Sequence, residues 1–306
     1  MMNPVSTEPE LSHSARALGK AQHAIVLVHY GPADATQRCL RSLHHWESFP
    51  HAVIVVDHGP GLDLGDALAG LHPNLIILPA HHNPGFGMGC NLGAEHAFQG
   101  GVEGVWFLNN DAIPERPLLG EFVSLSQRYP EVALWAHTQR DQGRSIGADR
   151  QPAWYETTRP CHQEAPDGCR FISPRESLSG ASLFITRKQW EEIGPWPEDF
   201  FLYYEDAAWC HRVHSQGRPM ALLDQSIHHD RGTTTGQRSA LTVFYGVRNR
   251  LRLHRDLHPS AWFVRLLMGL NLFQKRLFQG RWGLLTPTWA GIRAAARNQR
   301  GRDPRY

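Results

Sequence analysis

The sequence predicts an α/β fold built around a mostly parallel sheet with helices on both faces, followed by a helical C-terminal region. Short apolar runs rich in Val, Ile and Leu recur through the first 110 residues, and such continuous runs are typical of strands buried on both faces. Helical patterns or Gly and Pro breaks separate these runs, so the chain alternates between strand and helix. After Ser239 the pattern changes to basic, amphipathic helices.

The first half of the chain supplies four predicted strands. They lie at residues 24–30, 52–58, 75–79 and 105–108. A helix over 33–45 joins the first two strands and has Leu40 and Leu43 on one face. The glycine-rich stretch 83–91, NPGFGMGCN, opens a second helix that runs to about Phe98.

The second half of the chain is less regular. Residues 137–176 predict a long loop or a small excursion, and a loop of that length inside a compact domain usually has a function or is disordered. Beyond it the pattern predicts a strand at 179–186, a short helix at 187–194, a helix at 203–217, a strand at 219–224 and a loop containing His228 and His229. The predicted division is a polar leader at 1–22, one α/β domain at 23–238 and a basic helical region at 239–306.

Charge is distributed unevenly along the chain. Residues 1–240 carry 18 Lys and Arg against 27 Asp and Glu, whereas residues 241–306 carry 13 against 2. A basic tail on an acidic body indicates an anionic partner for the tail. The five cysteines have neither disulfide nor zinc spacing, which indicates reduced thiols in a cytoplasmic protein. Neither a signal peptide nor a membrane-spanning run is predicted.

Polar residues stand where several of the predicted strands end. Tyr30 and Asp57 close the first two strands, and Asp111 comes shortly after the fourth. Because ligands bind at the carboxyl ends of the strands in open α/β sheets, we expect these residues and the glycine-rich stretch to converge. The sequence Asn109-Asn110-Asp111 is either a turn or a site, and the local pattern leaves both open.

The glycine-rich stretch does not match the common nucleotide motifs. A dinucleotide fingerprint needs G-x-G-x-x-G after the first strand, but Gly85, Gly87 and Gly89 follow the third strand with different spacing. The Walker, H-E-x-x-H and G-x-S-x-G motifs do not occur in the sequence. The glycines therefore indicate either a flexible loop before a helix or close approach of the backbone to a ligand.

Glu205 and Asp206 open a predicted helix directly after the aromatic segment 200–204. Acidic residues at a helix N-terminus are often structural, because they complement the helix dipole. A carboxylate desolvated by the aromatic rings would instead have a raised pKa and could act as a general base. His228 and His229 are candidates for binding a metal or a phosphate.

Six segments of the chain occur in an order and spacing that resemble a known enzyme family. They are IVLVHYGPADATQRCLRSL, VIVVDHGP, NPGFGMGCNLGAEHA, FLNNDAIP, SGASLFITRKQWEEIGPWPEDFFLYYEDAAWCHR and the HH pair, within about residues 23–236. The chain resembles the family 2 glycosyltransferases, and most of all their bacterial rhamnosyltransferase-like branch. The resemblance implies the GT-A fold, a Rossmann-like nucleotide-diphospho-sugar transferase fold. It also implies inverting transfer of a sugar from a dTDP-, UDP- or GDP-linked donor to a saccharide or lipid-linked acceptor, in cell-surface polysaccharide biosynthesis.

The resemblance also implies roles for individual residues. The donor-binding residues it implies are His29, Tyr30, Asp57, Asn83, Gly87, Asn91, Asn109 and Asn110. The residues it implies on the acceptor side are Gly180, Ala181, Trp196 and Tyr204. Asp206 is the implied general base, with Glu205 beside it. Asp111, with His229 nearby, is implied to bind Mg²⁺ or Mn²⁺ at the donor diphosphate.

One protein carboxylate can suffice for such a cation, because phosphate and water complete its shell of oxygen ligands. Since Asp111 is the only carboxylate of its segment, we expect the metal to bind weakly without nucleotide. Two positions depart from the family pattern. Ala208 replaces the second Asp of the frequent E-D-x-D sequence, and His58 replaces the Asn that commonly follows Asp57, which puts the usual base and sugar of the donor in question.

The basic tail has two interpretations. Its helices either pack on the body or form a peripheral membrane anchor on the inner face of the plasma membrane. The residues that suit an interfacial helix are Trp262, Phe263, Leu266, Leu267, Leu270 and Phe273, with Arg265, Lys275 and Arg276. Nucleic acid is not expected as a partner, because no base-reading motif accompanies the charge.

Two rival functions remain open at the level of sequence. A sugar nucleotidylyltransferase should carry a Gly-rich, Arg-containing loop after its first strand, and HYGPADATQR fits that poorly. A non-catalytic nucleotide-sugar-binding subunit of a membrane glycan assembly would account for Ala208.

Overall fold

A mixed sheet forms the centre of the molecule. The computed structural model describes residues 18–19, 21–44, 51–59, 64–80, 82–141, 144–146, 148–150, 168–229 and 239–306. The strands are β1 (His23–His29), β2 (His51–Asp57), β3 (Leu75–Pro79), β4 (Gly104–Leu108), β5 (Ala112–Pro114), β6 (Leu134–Asp141), β7 (Arg144–Ile146), β8 (Ala148–Arg150), β9 (Cys169–Phe171), β10 (Glu176–Leu178), β11 (Ser182–Thr186) and β12 (Met220–His229). The helices are α1 (Asp34–His44), α2 (Leu64–Leu68), α3 (Phe86–Gln99), α4 (Leu119–Arg128), α5 (Arg187–Ile193), α6 (Glu205–Ser215), α7 (Ala240–Leu257), α8 (Trp262–Phe278) and α9 (Leu285–Ala296), with a 3₁₀ turn at Trp282–Leu284.

The sheet order is β3-β2-β1-β4-β11-β6-β12-β5, with β7 paired to β6 and β9 to β12. The first four strands are parallel, as their alternation with helices predicts. Strand β11 then lies antiparallel between β4 and β6, and β12 runs parallel to β6. The predicted α/β fold with a mostly parallel sheet and a helical C-terminal region is confirmed.

Apolar side chains cover both faces of the sheet, which explains the continuous apolar runs. Along β1, Val26 belongs to the cluster that includes Ala94 of α3, whereas Leu27 belongs to the opposite cluster with Leu40 of α1. The period of two along a strand sends neighbouring residues to opposite faces. Cys39, Cys90, Cys169 and Cys210 are free thiols, and Cys161 lies outside the described residues.

Of three predictions about local structure, one is decided between its two alternatives and two are wrong. Residues 137–176 agree with a small excursion and not with one long loop, because β6 extends to Asp141 and β7 to β10 occupy much of the rest, although 151–167 lie outside the described part. The His228-His229 pair ends strand β12 instead of lying in a loop, since β12 gains β5 as an antiparallel partner there. Helix α6 begins at Glu205 and not at Tyr203. Helix α4 and strands β5 and β6 were not predicted at all.

The first helix of the C-terminal region is integrated into the body, unlike a simple appendage. Arg248, Asn249 and Arg252 of α7 are completely buried. Helix α8, in contrast, buries only Met268 and Gly269. None of the helices described is long and apolar enough to cross a membrane.

Candidate active site

The carboxyl ends of three neighbouring strands meet at one edge of the sheet. His29 and Asp57, the last residues of β1 and β2, are register partners, and the N–H of His58 donates to the His29 carbonyl at 2.9 Å. Residues 109–111 follow β4, which pairs with β1 on its other side. The structure therefore brings these three predicted groups side by side.

His29 and Asn110 hold this edge together from inside. The Asn110 carboxamide donates to the Thr36 hydroxyl at 2.9 Å, and His29 Nδ1 lies 2.8 Å from the same oxygen. All three residues are buried, and burial lowers the pKa of His29 against the opposing charge of Asp57. These two side chains are therefore engaged with α1, whereas Tyr30, which is 44% exposed, lies open to a ligand.

His58 is buried beneath the first turns of α3. A Cβ on Gly89 would lie 2.6 Å from His58 Cε1, so this glycine makes room for the imidazole. Burial lowers the pKa of His58 to about 4, with the charge of Asp57 opposing the shift. The Asn83 side chain also opposes the lowering of the pKa of His58, and it accepts from the Gly85 N–H at 3.0 Å. His58 thus anchors the glycine-rich segment to the end of β2.

The structure does not bring Asn91 or Trp196 to an open surface. The Asn91 carboxamide accepts from the Trp196 N–H at 2.9 Å and donates to the Trp196 carbonyl at 3.0 Å and to Glu198 at 3.1 Å. Trp196 is 1% exposed and packs against Phe107 and Trp209, with ring centroids 5.3 and 4.5 Å away. Asn91 therefore holds the 196–198 turn, and Trp196 is an interior residue beneath the predicted acceptor side.

Strand alternation distinguishes the two adjacent histidines. His228 points outward, where its Nε2 lies 2.6 Å from the exposed carboxylate of Glu115. His229 points inward and is buried. His229 is therefore the histidine that faces Asn109, Asn110 and Asp111, which together are called the NND segment below.

The inward histidine joins both parts of the NND segment. His229 Nε2 lies 3.1 Å from Asn109 Nδ2 and 3.1 Å from Asp111 Oδ1, while its Nδ1 lies 3.1 Å from Gln139 Oε1. When Nδ1 donates its proton to Gln139, Nε2 presents a lone pair towards Asp111. The pair of Asp111 and His229 predicted from sequence is thus in contact.

These residues fit a divalent cation in part. No cluster of three or more His, Cys, Asp or Glu side chains that could hold a metal occurs among the described residues. The separation of 3.1 Å between Asp111 Oδ1 and His229 Nε2 nevertheless suits two adjacent ligands of an octahedral cation, which are about 3 Å apart when each bond is about 2.1 Å. Asn109 Oδ1 is also buried there, without a hydrogen-bond partner in the described chain. Two or three ligands with phosphate and water would complete a Mg²⁺ or Mn²⁺ shell.

Asp206 is linked to the NND segment through a bridge of two residues, Gly180 and Ala181. Its Oδ2 accepts from the Gly180 N–H at 3.0 Å, and its Oδ1 accepts from the Ala207 N–H at 2.8 Å. The next residue in the bridge, Ala181, accepts through its carbonyl from the Asn109 N–H at 3.0 Å. Asp206 is partly exposed. The bridge therefore places an accessible carboxylate beside the NND segment.

Glu205 occupies a different environment from its neighbour. It is 6% exposed, and its Oε2 has no hydrogen-bond partner in the described part of the chain. Burial, assisted by the charge of Asp206, raises the pKa of Glu205 well above its ordinary value. A Cβ on Gly87 would lie 3.6 Å from Glu205 Cβ, so the side chain lies under the first turn of α3. Glu205 is therefore enclosed by protein, in contrast to the partly exposed Asp206.

The glycine-rich segment and the aromatic segment before α6 are in direct contact. Gly85 has φ +108°, and a Cβ there would lie 2.4 Å from the Phe201 carbonyl oxygen. The next N–H, that of Phe86, donates to this carbonyl at 3.1 Å. The two segments that the resemblance assigns to donor binding and catalysis are therefore packed directly against each other.

Ala208 packs against the apolar cluster formed by Phe200, Ala207 and Leu253. A carboxylate at position 208 would face this cluster, so the departure from the family pattern agrees with the local packing. Sequence reasoning missed Gln139, the partner of His229. The buried apolar run at 132–136 would have indicated that Gln139 lies near the end of a strand.

No protein-family model matches the chain. Among curated proteins, the N-acetylglucosaminyl-diphospho-decaprenol L-rhamnosyltransferase of Mycobacterium tuberculosis is 23% identical over 262 residues, which cover 78% of this chain and 85% of that protein. The low-salt glycan biosynthesis hexosyltransferase Agl10 of Haloferax volcanii is 19% identical over 292 residues, which cover 92% and 93% of the two chains.

Among solved structures, the mannosyltransferase PcManGT from Pyrobaculum calidifontis, in complex with GDP-Man and Mn²⁺, matches with a TM-score of 0.58 at 13% identity, over 96% of this chain and 97% of that one. The chain has the GT-A glycosyltransferase fold. This confirms the fold implied by the sequence resemblance. The names of the relatives and the GT-A neighbours support a family 2-like glycosyltransferase acting in glycan biosynthesis.

Proposed function

We propose that the protein is an inverting glycosyltransferase that moves a sugar from a nucleoside diphosphate to a hydroxyl of a saccharide or lipid-linked saccharide. The observation that carries this proposal is the bridge Gly180–Ala181, which bonds to Asp206 on one side and to Asn109 on the other. It sets an accessible carboxylate next to the segment that contacts His229. A general base beside a diphosphate-binding edge is the arrangement that glycosyl transfer requires.

In the proposed reaction, Asp206 accepts the proton of the acceptor hydroxyl. The hydroxyl oxygen forms a bond to the anomeric carbon on the face opposite the diphosphate, and the bond from that carbon to the diphosphate oxygen breaks. The diphosphate leaves with the electron pair, so the configuration at the anomeric carbon is inverted. A positioned general base is typically worth about 10²- to 10⁴-fold in rate.

The donor is proposed to lie along the sheet edge. Tyr30 and Asp57 would face the nucleoside, and Asp111, His229 and the Asn109 oxygen would hold Mg²⁺ or Mn²⁺. When bound, the cation offsets the negative charge of the leaving diphosphate. PcManGT in complex with GDP-Man and Mn²⁺ supports this donor class. The diphospho-decaprenol in the name of the mycobacterial relative supports a lipid-linked acceptor.

The proposal is tested by incubating the protein with dTDP-, UDP- and GDP-linked sugars, Mn²⁺ and polyprenyl-diphosphate saccharide acceptors. Transfer or slow donor hydrolysis is expected for one donor, and Asp206→Asn should lower the turnover by at least about 10²-fold. Glu131→Gln, which removes an exposed carboxylate outside the site, is the control. If no donor binds in calorimetry, or if Asp206→Asn retains full turnover, the proposal fails.

We also propose that helix α8 associates with the inner face of the plasma membrane. Large apolar residues are exposed around this helix and the turn after it: Trp262, Phe263, Leu266, Leu267, Leu270, Phe278, Trp282 and Trp289. Residues 257–302 contain eight Lys and Arg and no Asp or Glu, so the surface is complementary to anionic lipid. Phe273, also expected on this face, is only partly exposed and lies against the Trp289 ring.

Vesicle sedimentation tests the membrane proposal. The protein should bind vesicles that contain phosphatidylglycerol more strongly than vesicles of phosphatidylcholine alone. Replacing Trp262 and Phe263 by Ser should weaken binding roughly 30-fold, since each half-exposed ring contributes about 1 kcal/mol. Leu92→Ser, at an exposed apolar residue outside this face, is the control. Equal binding of the double variant and the wild type would contradict the proposal.

A further inference from the structure

The turn before α6 has an unusual backbone conformation. Tyr203 and Tyr204 have φ values of +66° and +71°, and the only other non-glycine residue with positive φ in the described chain is Asn298. Left-handed conformations are unfavourable for residues with a Cβ and persist only where the surroundings enforce them. Helix α6 begins with the next residue, Glu205, so this turn sets the position of Asp206.

Asn249 of α7 bonds directly to this turn. Its side chain is completely buried, and Nδ2 donates to the Leu202 carbonyl at 2.8 Å and to the Tyr203 carbonyl at 2.9 Å. Its Oδ1 accepts from Arg248 Nε at 2.9 Å. A carboxamide has two N–H donors, and both are used on the turn, while its oxygen accepts from Arg248.

Separate contacts hold the start of the aromatic segment. Arg252 donates to the Asp199 carbonyl at 2.9 Å and to its carboxylate at 2.8 Å, and its guanidinium lies over the Phe200 ring. The Phe86 N–H bonds to the Phe201 carbonyl. Asn249 binds the next two carbonyls along the chain, those of Leu202 and of Tyr203, the first residue of the left-handed pair.

We propose that Asn249 is a positioning residue for Asp206, acting by holding the left-handed turn at Tyr203 and Tyr204. The role in catalysis rests on the proposed function, whereas the hold on the turn does not. An Asp at position 249 offers no donor and sets carboxylate oxygens against two carbonyls. An Ala removes both hydrogen bonds to these partly buried carbonyls, which is costly inside a protein.

Hydrogen–deuterium exchange tests the hold on the turn without any assay of activity. Asn249→Ala should increase exchange in a peptide covering residues 200–207. Asn249→Ser keeps one donor, so its exchange in this peptide should lie between that of Asn249→Ala and that of the wild type. Thr288→Val is the matched control, because it removes a buried hydrogen bond to Leu284 from α9 without touching the turn. That control should leave exchange at 200–207 unchanged.

Kinetics with the donor that the wild type accepts test the positioning role. Asn249→Ala should lower kcat on the order of 10- to 100-fold, because a displaced base loses its alignment. The Kd for the nucleoside diphosphate, measured by calorimetry, should stay near the wild-type value. Adding Tyr203→Gly should restore part of kcat, since glycine adopts positive φ without support. The kinetics are measured well below the Tm of every variant, so that a change in fold stability alone does not alter kcat.

The outcomes separate the two proposals. If wild-type protein turns over no sugar nucleotide, the proposed function fails, while the exchange experiment still decides whether Asn249 holds the turn. If Asn249→Ala and Asn249→Ser both leave exchange at 200–207 and kcat at wild-type levels, Asn249 is not a positioning residue. If kcat falls but Tyr203→Gly gives no recovery, the turn is not the route by which Asn249 acts.

Discussion

Replacing Gly85 by Ala is expected to damage both stability and turnover, for two separable reasons. The first is conformational, because Gly85 has φ 108° and ψ 164°, a region almost restricted to glycine, where an alanine is strained by about 1–3 kcal/mol. The second is steric, since the new Cβ would lie 2.4 Å from the Phe201 carbonyl oxygen. To relieve this contact, the aromatic segment must move away from the glycine-rich segment.

The steric part can be estimated from the hydrogen bond that the movement breaks. The Phe86 N–H donates to the Phe201 carbonyl at 3.1 Å, and leaving such buried groups unpaired costs about 1–3 kcal/mol. Together with the conformational strain, Gly85→Ala should lower the free energy of unfolding by about 3 kcal/mol, which corresponds to a fall in Tm of about 5 °C for a chain of this length.

Gly101→Ala provides the matched control. Gly101 has a similar φ of +94°, but no atom lies within 4 Å of its added Cβ, so this variant has the conformational strain alone. Its Tm should fall by only about 2–3 °C, with donor turnover close to that of the wild type. Differential scanning fluorimetry and the donor-turnover assay measure both effects. Equal losses of Tm in the two variants would show that the contact between the two segments contributes nothing.

Three further predictions concern charged groups. Calorimetry should detect weak Mn²⁺ binding to the nucleotide-free protein and tighter binding with GDP or another nucleoside diphosphate. Asp111→Asn should remove this gain in Mn²⁺ affinity. Tight Mn²⁺ binding without nucleotide would contradict the proposed cation site. Because burial raises the pKa of Glu205, Glu205→Gln should keep turnover within about threefold of the wild type, in contrast to Asp206→Asn. A 100-fold loss of turnover would mean that Glu205 is ionised in catalysis. Burial lowers the pKa of His23 and of His214 to about 4, whereas histidine in the unfolded chain has a pKa near 6.5. The contribution of these two neutral side chains to folding stability is therefore complete above about pH 6.5 and is lost as the pH falls towards 4. Thermal unfolding should therefore give a lower Tm at pH 5 than at pH 7, and His23→Asn should reduce this difference; a Tm that rises on acidification would refute the linkage.

The parallel half of the sheet was predictable because its strands are buried on both faces. Residues 75–79 were predicted as a strand and form β3 without change. The convergence of Asp57 and the NND segment followed from the general rule that strand ends meet at one edge. What local pattern could predict was limited to these regular elements and the residues at their ends.

Non-local pairing explains what the sequence did not reveal. The polar end of β12 lacks an apolar run and becomes a strand because β5 pairs with it. Asn249 lies 46 residues beyond Tyr203 on an amphipathic helix, where nothing local distinguishes it from other polar residues. The left-handed pair could not be predicted from tyrosines, which do not favour positive φ.

The short ladder between β5 and β12 has a consequence for how the candidate cation site is specified. His229 is the cross-strand partner of Ala112, the residue that directly follows Asp111. The distance between the two ligands is therefore fixed by a single pair of neighbouring backbones, independently of how the rest of the sheet is aligned. A one-residue insertion in β12 ahead of His228 would turn His228 inward and His229 outward, and one between Asp111 and Ala112 would move Asp111 out of step with His229. This site should therefore tolerate changes elsewhere in the sheet but no change of length at this ladder.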